Sequence, residues 1–178
     1  MNIVNNNQQF GLVSKLIHWL MATLFIAIIA IALYMDELPR GAEKFEWVSL
    51  HKAFGVCALA AILLRIAWHR MTKAPTPLGE GWQLKLAHLG HVALYLLMLL
   101  MPISGLMMSL AGGHDVAVFN WFTLSGFSEQ NETLSGIASF VHHNAANLLY
   151  LVLALHVGAA LHHHFILKDE TLKRITSA

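Results

Sequence analysis

Long apolar runs alternate with short polar connections along the chain. Four of the runs, at residues 14–36, 47–69, 84–110 and 136–167, are long enough to cross a bilayer core, which takes about 20 helical residues. None shows the period-two alternation of a membrane barrel, and helices satisfy their own backbone groups in hydrocarbon. The pattern predicts an all-α fold: an integral membrane four-helix bundle, built as one domain over residues 1–178. The connection from Ala111 to Gly136 is long for a structureless loop, and Phe119, Trp121, Phe122 and Phe127 within it predict a lid lying on the membrane surface.

Charge orients the bundle. If the helices alternate in direction, Lys15, Arg65, Arg70, Lys73, Lys85, Lys168, Lys173 and Arg174 gather on one side, and only Arg40, Lys44 and Lys52 fall on the other. Positive residues mark the cytoplasmic side, so both termini are expected there. Composition agrees with membrane residence, since 57% of residues are hydrophobic and 12% charged, too sparse in charge for a soluble domain of this length. A net charge of +1 without any Lys/Arg-dense stretch leaves no electrostatic footprint for nucleic acid. The lone Cys57 can form no intrachain disulfide. The first apolar run has span length and is not followed by a small-residue cleavage site, so it is expected to remain in the mature protein.

Ionisable groups inside a membrane are costly and mark sites, and here the embedded set is almost entirely histidine. His142 and His156 lie 14 residues apart on the last run. On a helix they face the same way about 21 Å apart in depth. His51, near the start of the second run, matches the height of His142, and His18 comes within about 6 Å of the depth of His156. The crossed pairing of His18 with His51 would leave about 20 Å between ligands, and two histidines of one helix cannot grip one disc from opposite faces. The spacing therefore predicts two b-type haems with axial pairs His51/His142 and His18/His156. Gly55 and Gly158, near these ligands, would leave room for a flat macrocycle. His163, seven residues beyond His156, is a candidate contact for a quinone or a haem propionate. His88 and His91 at the start of the third run could serve the same pocket, with Arg65 and Lys85 as propionate partners. Lys52 is the one cation close to the outer haem. His69 and His114 read as interfacial or loop residues, and His143, His162 and His164 as having no ligand role.

The segments KLIHWL around His18, LHKAFG around His51, LAHLGHVALYLLMLLMPISGLMM, HHNAANLLYLVLALH from His142 to His156, and HHHFILKDETLKRI resemble the bacterial dihaem cytochrome b561 family of the four-helix inner-membrane type. The resemblance covers all four runs in order. It implies axial ligation by His18, His51, His142 and His156, and exchange of electrons with ubiquinone, with His163 and the histidines of the third run as contacts. It also implies a superoxide oxidase activity, passing electrons from periplasmic superoxide through two haems to ubiquinone. The outer loops sum to about minus five, from Asp36, Glu37, Glu43, Glu46, Asp115, Glu129 and Glu132 against Arg40 and Lys44, which would repel an anionic donor. That surface equally suits a haem-bearing anchor serving a cationic periplasmic redox protein. A metal-ion transporter using the 12 histidines is a third reading, weakened because Asp36, Glu37 and the other carboxylates all lie at loops or at the ends of the apolar runs.

Overall fold

The computed structural model describes residues 2–176. Four long helices dominate it: α1 (Leu12–Glu37), α2 (Ala42–Met71), α3 (Gly81–Ala111) and α4 (Glu132–His162). All four are long and apolar enough to cross a membrane, the last span running on to Leu167 through a π-helical turn at His163–Leu167. A short helix, α5 (Lys173–Thr176), follows.

The helix ends follow from local chemistry. α1 stops at Glu37 because Leu38 precedes a proline, which disfavours helical backbone in the residue before it. α2 stops at the edge of the proline-containing stretch that joins it to α3. α4 begins on Asn131, whose side chain accepts the amide of Leu134 at 2.9 Å.

Buried residues from every helix meet in one core: Met21 and Phe25 from α1, Ala58 and Ile62 from α2, Leu94 and Leu97 from α3, Ala145 and Leu149 from α4. Alanines at Ala58 and Ala145 let the helices approach closely, the usual device where lipid supplies no hydrophobic drive. Most remaining large apolar side chains, such as Leu20, Ile26, Leu64, Leu96 and Leu155, are exposed on the bundle surface, as lipid-facing residues are. The packing is uneven. α1 packs on α2, α2 on α3 and α3 on α4, but α4 makes no more than isolated contacts with α1 or α2.

Hydrogen bonds tie the two chain ends to one end of the bundle. Asn5 accepts from the Gly11 amide and the Ser14 hydroxyl, and the Thr76 amide donates to the Asn7 carbonyl. Trp19 donates to the Ile175 carbonyl and Arg174 to the Thr76 carbonyl.

At the opposite end, the connection expected to form a lid carries regular structure. Within the α3–α4 connection, β1 (Val116–Val118) and β2 (Phe122–Leu124) form an antiparallel hairpin in the register Val116↔Leu124. Valine, phenylalanine and threonine suit a half-buried pleat, and Val116 and Val118 are fully buried beneath it. Phe119, in the left-handed region at φ 50°, turns the chain and packs its ring on Phe54 of α2 at 5.4 Å. The hairpin is locked at its base, where the Gly126 amide donates to Asp115 and the Gly126 backbone lies against that of Gly113. A Cβ on Gly126 would fall 2.5 Å from the Gly113 carbonyl carbon, so the backbones must part if it is added. Gly126→Ala should therefore loosen the connection at a cost of about 1–3 kcal/mol. Limited proteolysis should then cut within residues 112–131 faster while the four helices stay protected; equal protection in wild type and variant would refute this.

Candidate functional site

At the hairpin end, His51 of α2 and His142 of α4 face each other across the gap between helices that do not pack together. Their ring centroids lie 6.3 Å apart with planes at 88°. Two imidazoles on opposite sides of one metal, each bonded at about 2 Å, place their ring centres about 6 Å apart. The spacing fits a single iron.

His142 is seated by α3 through the sequence Met101-Pro102-Ile103-Ser104-Gly105. Its Nδ1 donates to the Met101 carbonyl at 2.9 Å, with the Ser104 hydroxyl at 3.2 Å. The Ser104 hydroxyl in turn donates to the Leu100 carbonyl at 2.6 Å. Pro102 removes one amide from the helix, and a proline inside a membrane helix is tolerated where neighbouring groups re-satisfy the backbone. Gly105 completes the seat, since a Cβ there would lie 2.8 Å from His142 Cε1. With Nδ1 committed as donor, the tautomer is set and Nε2 keeps its lone pair for a metal. His51 is complementary: its ring approaches the backbone of Ile28 in α1, yet its Nδ1 is buried with no hydrogen-bond partner. Lys52 is half-buried beside it. A cleft of about 280 Å³, lined by Glu46, Ser49, Leu50, Ala53, Ala117 and Phe119, opens between the start of α2 and the hairpin.

At the end carrying the termini, a second cluster draws on all four helices. Arg65 of α2 donates through Nη1 to His18 Nδ1 at 3.3 Å and through Nε to the Tyr95 hydroxyl at 3.0 Å. His18 of α1 lies within electrostatic reach of His156 of α4 and His91 of α3. The His91 ring stands 5.4 Å from that of His156, and its Nδ1 donates to the Ala87 carbonyl. Among the described residues no carboxylate comes within 4 Å of Arg65, whose partners are both neutral. A half-buried cation without an anion suits a propionate. His69, assigned from the sequence to the interface, places its ring against Tyr95. Lys85 and His88 are exposed on the first turns of α3 and make no side-chain bond among the described residues. Gly55 and Gly158 both face open space.

Beyond the second cluster, the π-helical turn brings Asp169 back onto His163, whose Nδ1 donates to the carboxylate at 2.5 Å. Partial burial works to raise the Asp169 carboxyl, but hydrogen bonds from His163 and Thr171 prevail and hold it at about 2.

Sequence reasoning located the facing histidines but missed what seats them. The signal lay in the chain: a proline followed three residues later by glycine inside an otherwise unbroken apolar run. Among the described residues no three or more His, Cys, Asp or Glu side chains gather as a direct metal site, which is what the transporter reading needs. Gly105→Ala should lower haem affinity at the hairpin end by about tenfold or more, the scale of lost outer-shell support. Haem titration of the purified variant, followed by absorbance, checks this; unchanged affinity would show that the His142 ring tolerates the methyl group.

The description "Prokaryotic cytochrome b561" matches residues 9–178. Cytochrome b561 homolog 2 of Escherichia coli strain K12 is 31% identical over 98% of this chain and 95% of its own. Cytochrome b561 homolog 1 of the same strain is 30% identical over 89% of this chain and 92% of its own. The probable superoxide oxidase CybB of Yersinia pestis is 30% identical over 89% of this chain and 90% of its own. With four membrane-spanning helices and facing intramembrane histidines, the chain belongs to the prokaryotic cytochrome b561 family, bacterial membrane proteins of electron transport that carry b-type haem.

Proposed function

We propose that this chain conducts electrons across the bacterial inner membrane through two b-type haems, oxidising superoxide at the periplasmic hairpin end and reducing ubiquinone at the cytoplasmic end. The observation that carries this is the 6.3 Å spacing of His51 and His142, with the His142 tautomer already fixed for ligation. His51 and His142 would hold the outer haem, and His18 and His156 the inner one. When bound, haem supplies a one-electron couple between ferric and ferrous iron. With two histidines holding each haem, superoxide would give up its electron without binding to metal.

The other residues set the ends of the path. Arg65 is placed to neutralise an inner propionate. A guanidinium only donates, so His18 Nδ1 accepts from it in the present arrangement; ligation through Nε2 needs the other tautomer and therefore requires Arg65 to turn from His18. His163, His91, His88 and Lys85 are the candidate quinone contacts at the cytoplasmic end, and Lys52 is the outer cation beside His51. The balanced reaction consumes two superoxide ions, one quinone and two protons, and yields two dioxygen molecules and one quinol. The similarity to a probable superoxide oxidase supports the choice of donor.

A second reading, a haem-bearing anchor for a cationic periplasmic redox protein, draws on the acidic outer loops and on Glu46 in the cleft near His51. It predicts the same spectrum with little activity of the protein alone.

Two measurements test the proposal. His51→Ala or His142→Ala should remove one haem, and His18→Ala or His156→Ala the other, read as haem per polypeptide; loss of the same haem from His18→Ala and His51→Ala would refute the pairing. Purified protein exposed to a superoxide generator should reduce ubiquinone in stopped flow. Haem reduction by quinol with no response to superoxide would overturn the donor and favour the anchor.

A further inference from the structure

We propose that Asp169 is a positioning residue for proton transfer: it holds His163 by Nδ1 so that Nε2, on the opposite edge of the ring, exchanges protons with the quinone. This rests on the reading that a quinone binds at the cytoplasmic end.

The pair is built by an unusual path of the chain. Six residues along a continuous α-helix turn through about 600°, which would leave the two side chains on different faces. The chain instead widens into a π-helical turn at His163–Leu167, a form that recurs at functional sites, and then reverses at Lys168, in the left-handed region at φ 55°. The Asp169 amide closes the reversal on the His163 carbonyl at 3.2 Å. Oδ1 of Asp169 accepts the Thr171 amide at 2.8 Å, which leaves Oδ2 to His163. The neighbouring carboxylate, Glu170, is engaged by Lys173 at 2.8 Å and does not compete. Trp19 and Arg174 pin the segment that follows to α1 and to the α2–α3 connection, so the position of Asp169 is fixed from both sides.

This leaves His163 about one-third exposed, with no partner on Nε2 among the described residues. The chemistry needs such a group. Each quinone takes up two electrons and two protons, and bis-histidine haems supply only the electrons. His163, protonated on both nitrogens, would give its Nε2 proton to a reduced quinone oxygen, keep its Nδ1–H on the Asp169 carboxylate, and be reprotonated at Nε2 from cytoplasmic water. In quinol oxidation the same steps run in reverse, with neutral His163 as the base. Asp169 stays ionised throughout and restores the ring to one orientation after each transfer.

The test is haem reduction by ubiquinol in stopped flow, using full-length haem-loaded protein, because it does not depend on the periplasmic donor. Asp169→Asn and His163→Gln should slow the limiting rate by about 10- to 100-fold, within or below the range of general acid–base catalysis, with little change in the quinol concentration for half-maximal rate. Asp169→Glu should recover most of the rate, and the solvent deuterium isotope effect should rise in Asp169→Asn. Haem content and the dithionite-reduced spectrum should match wild type. If Asp169→Asn reduces its haems at the wild-type rate while wild type responds to quinol, the proposal falls and Asp169 only shapes the turn. If Asp169→Asn is slow but also loses haem, the carboxylate supports the fold and the proposal falls on that ground. If wild-type haems do not respond to quinol at all, the quinone reading itself fails and this one with it.

Discussion

An imidazole in hydrocarbon must find a partner, and α4 presents two such groups along one face without packing against the helices they look toward. α3 supplies most of the packing that holds α4 to the rest of the bundle. Between His142 and His156 on that face, Ala145 and Leu149 join the core shared with α1 and α2, so the two histidines stand at the ends of a packed stretch. Polar groups facing one another across unpacked helices are expensive unless something bridges them. The family to which the chain belongs carries b-type haem, the group proposed to do so here. The same constraint explains why α3, which carries no proposed ligand, has a long run of structural duties: it grips α4, supplies the Met101 carbonyl and the Gly105 gap for one histidine, and sets His91 beside the other.

The two ends of the bundle solve different electrostatic problems with few charges. At the hairpin end a carbonyl, a hydroxyl and a glycine orient His142, and the half-buried Lys52 of α2 stands beside His51. At the other end the half-buried Arg65 shares its donors between a phenol and an imidazole. A cation so placed disfavours a second positive charge nearby and favours an anion.

Much of this was legible in the chain, for identifiable reasons. The spans were readable because hydrocarbon demands long uninterrupted apolar helices, and the height of each histidine followed from the fixed rise of a helix. Arg65 was visible as a basic residue near an inner ligand, though its bonds to His18 and Tyr95 depend on rotamers that spacing does not determine. The hairpin was hidden because strands of three residues leave too short an alternation to detect, and its stability comes from Val116, Val118 and Phe119 docking on α2. The turn that returns Asp169 to His163 was hidden for a related reason. The sequence HHHFILKDE reads as a helix end, and nothing in local propensity announces a π-helical step followed by a left-handed lysine.

The loose seam along α4 has a mechanical consequence. A haem held by His51 and His142, as proposed, would cross-link two helices that otherwise barely meet, and its binding free energy would add to the stability of the assembled bundle. Pigment and scaffold would then be mutually dependent: without the cross-link, α4 keeps its contacts with α3 and the place of Ala145 and Leu149 in the shared core.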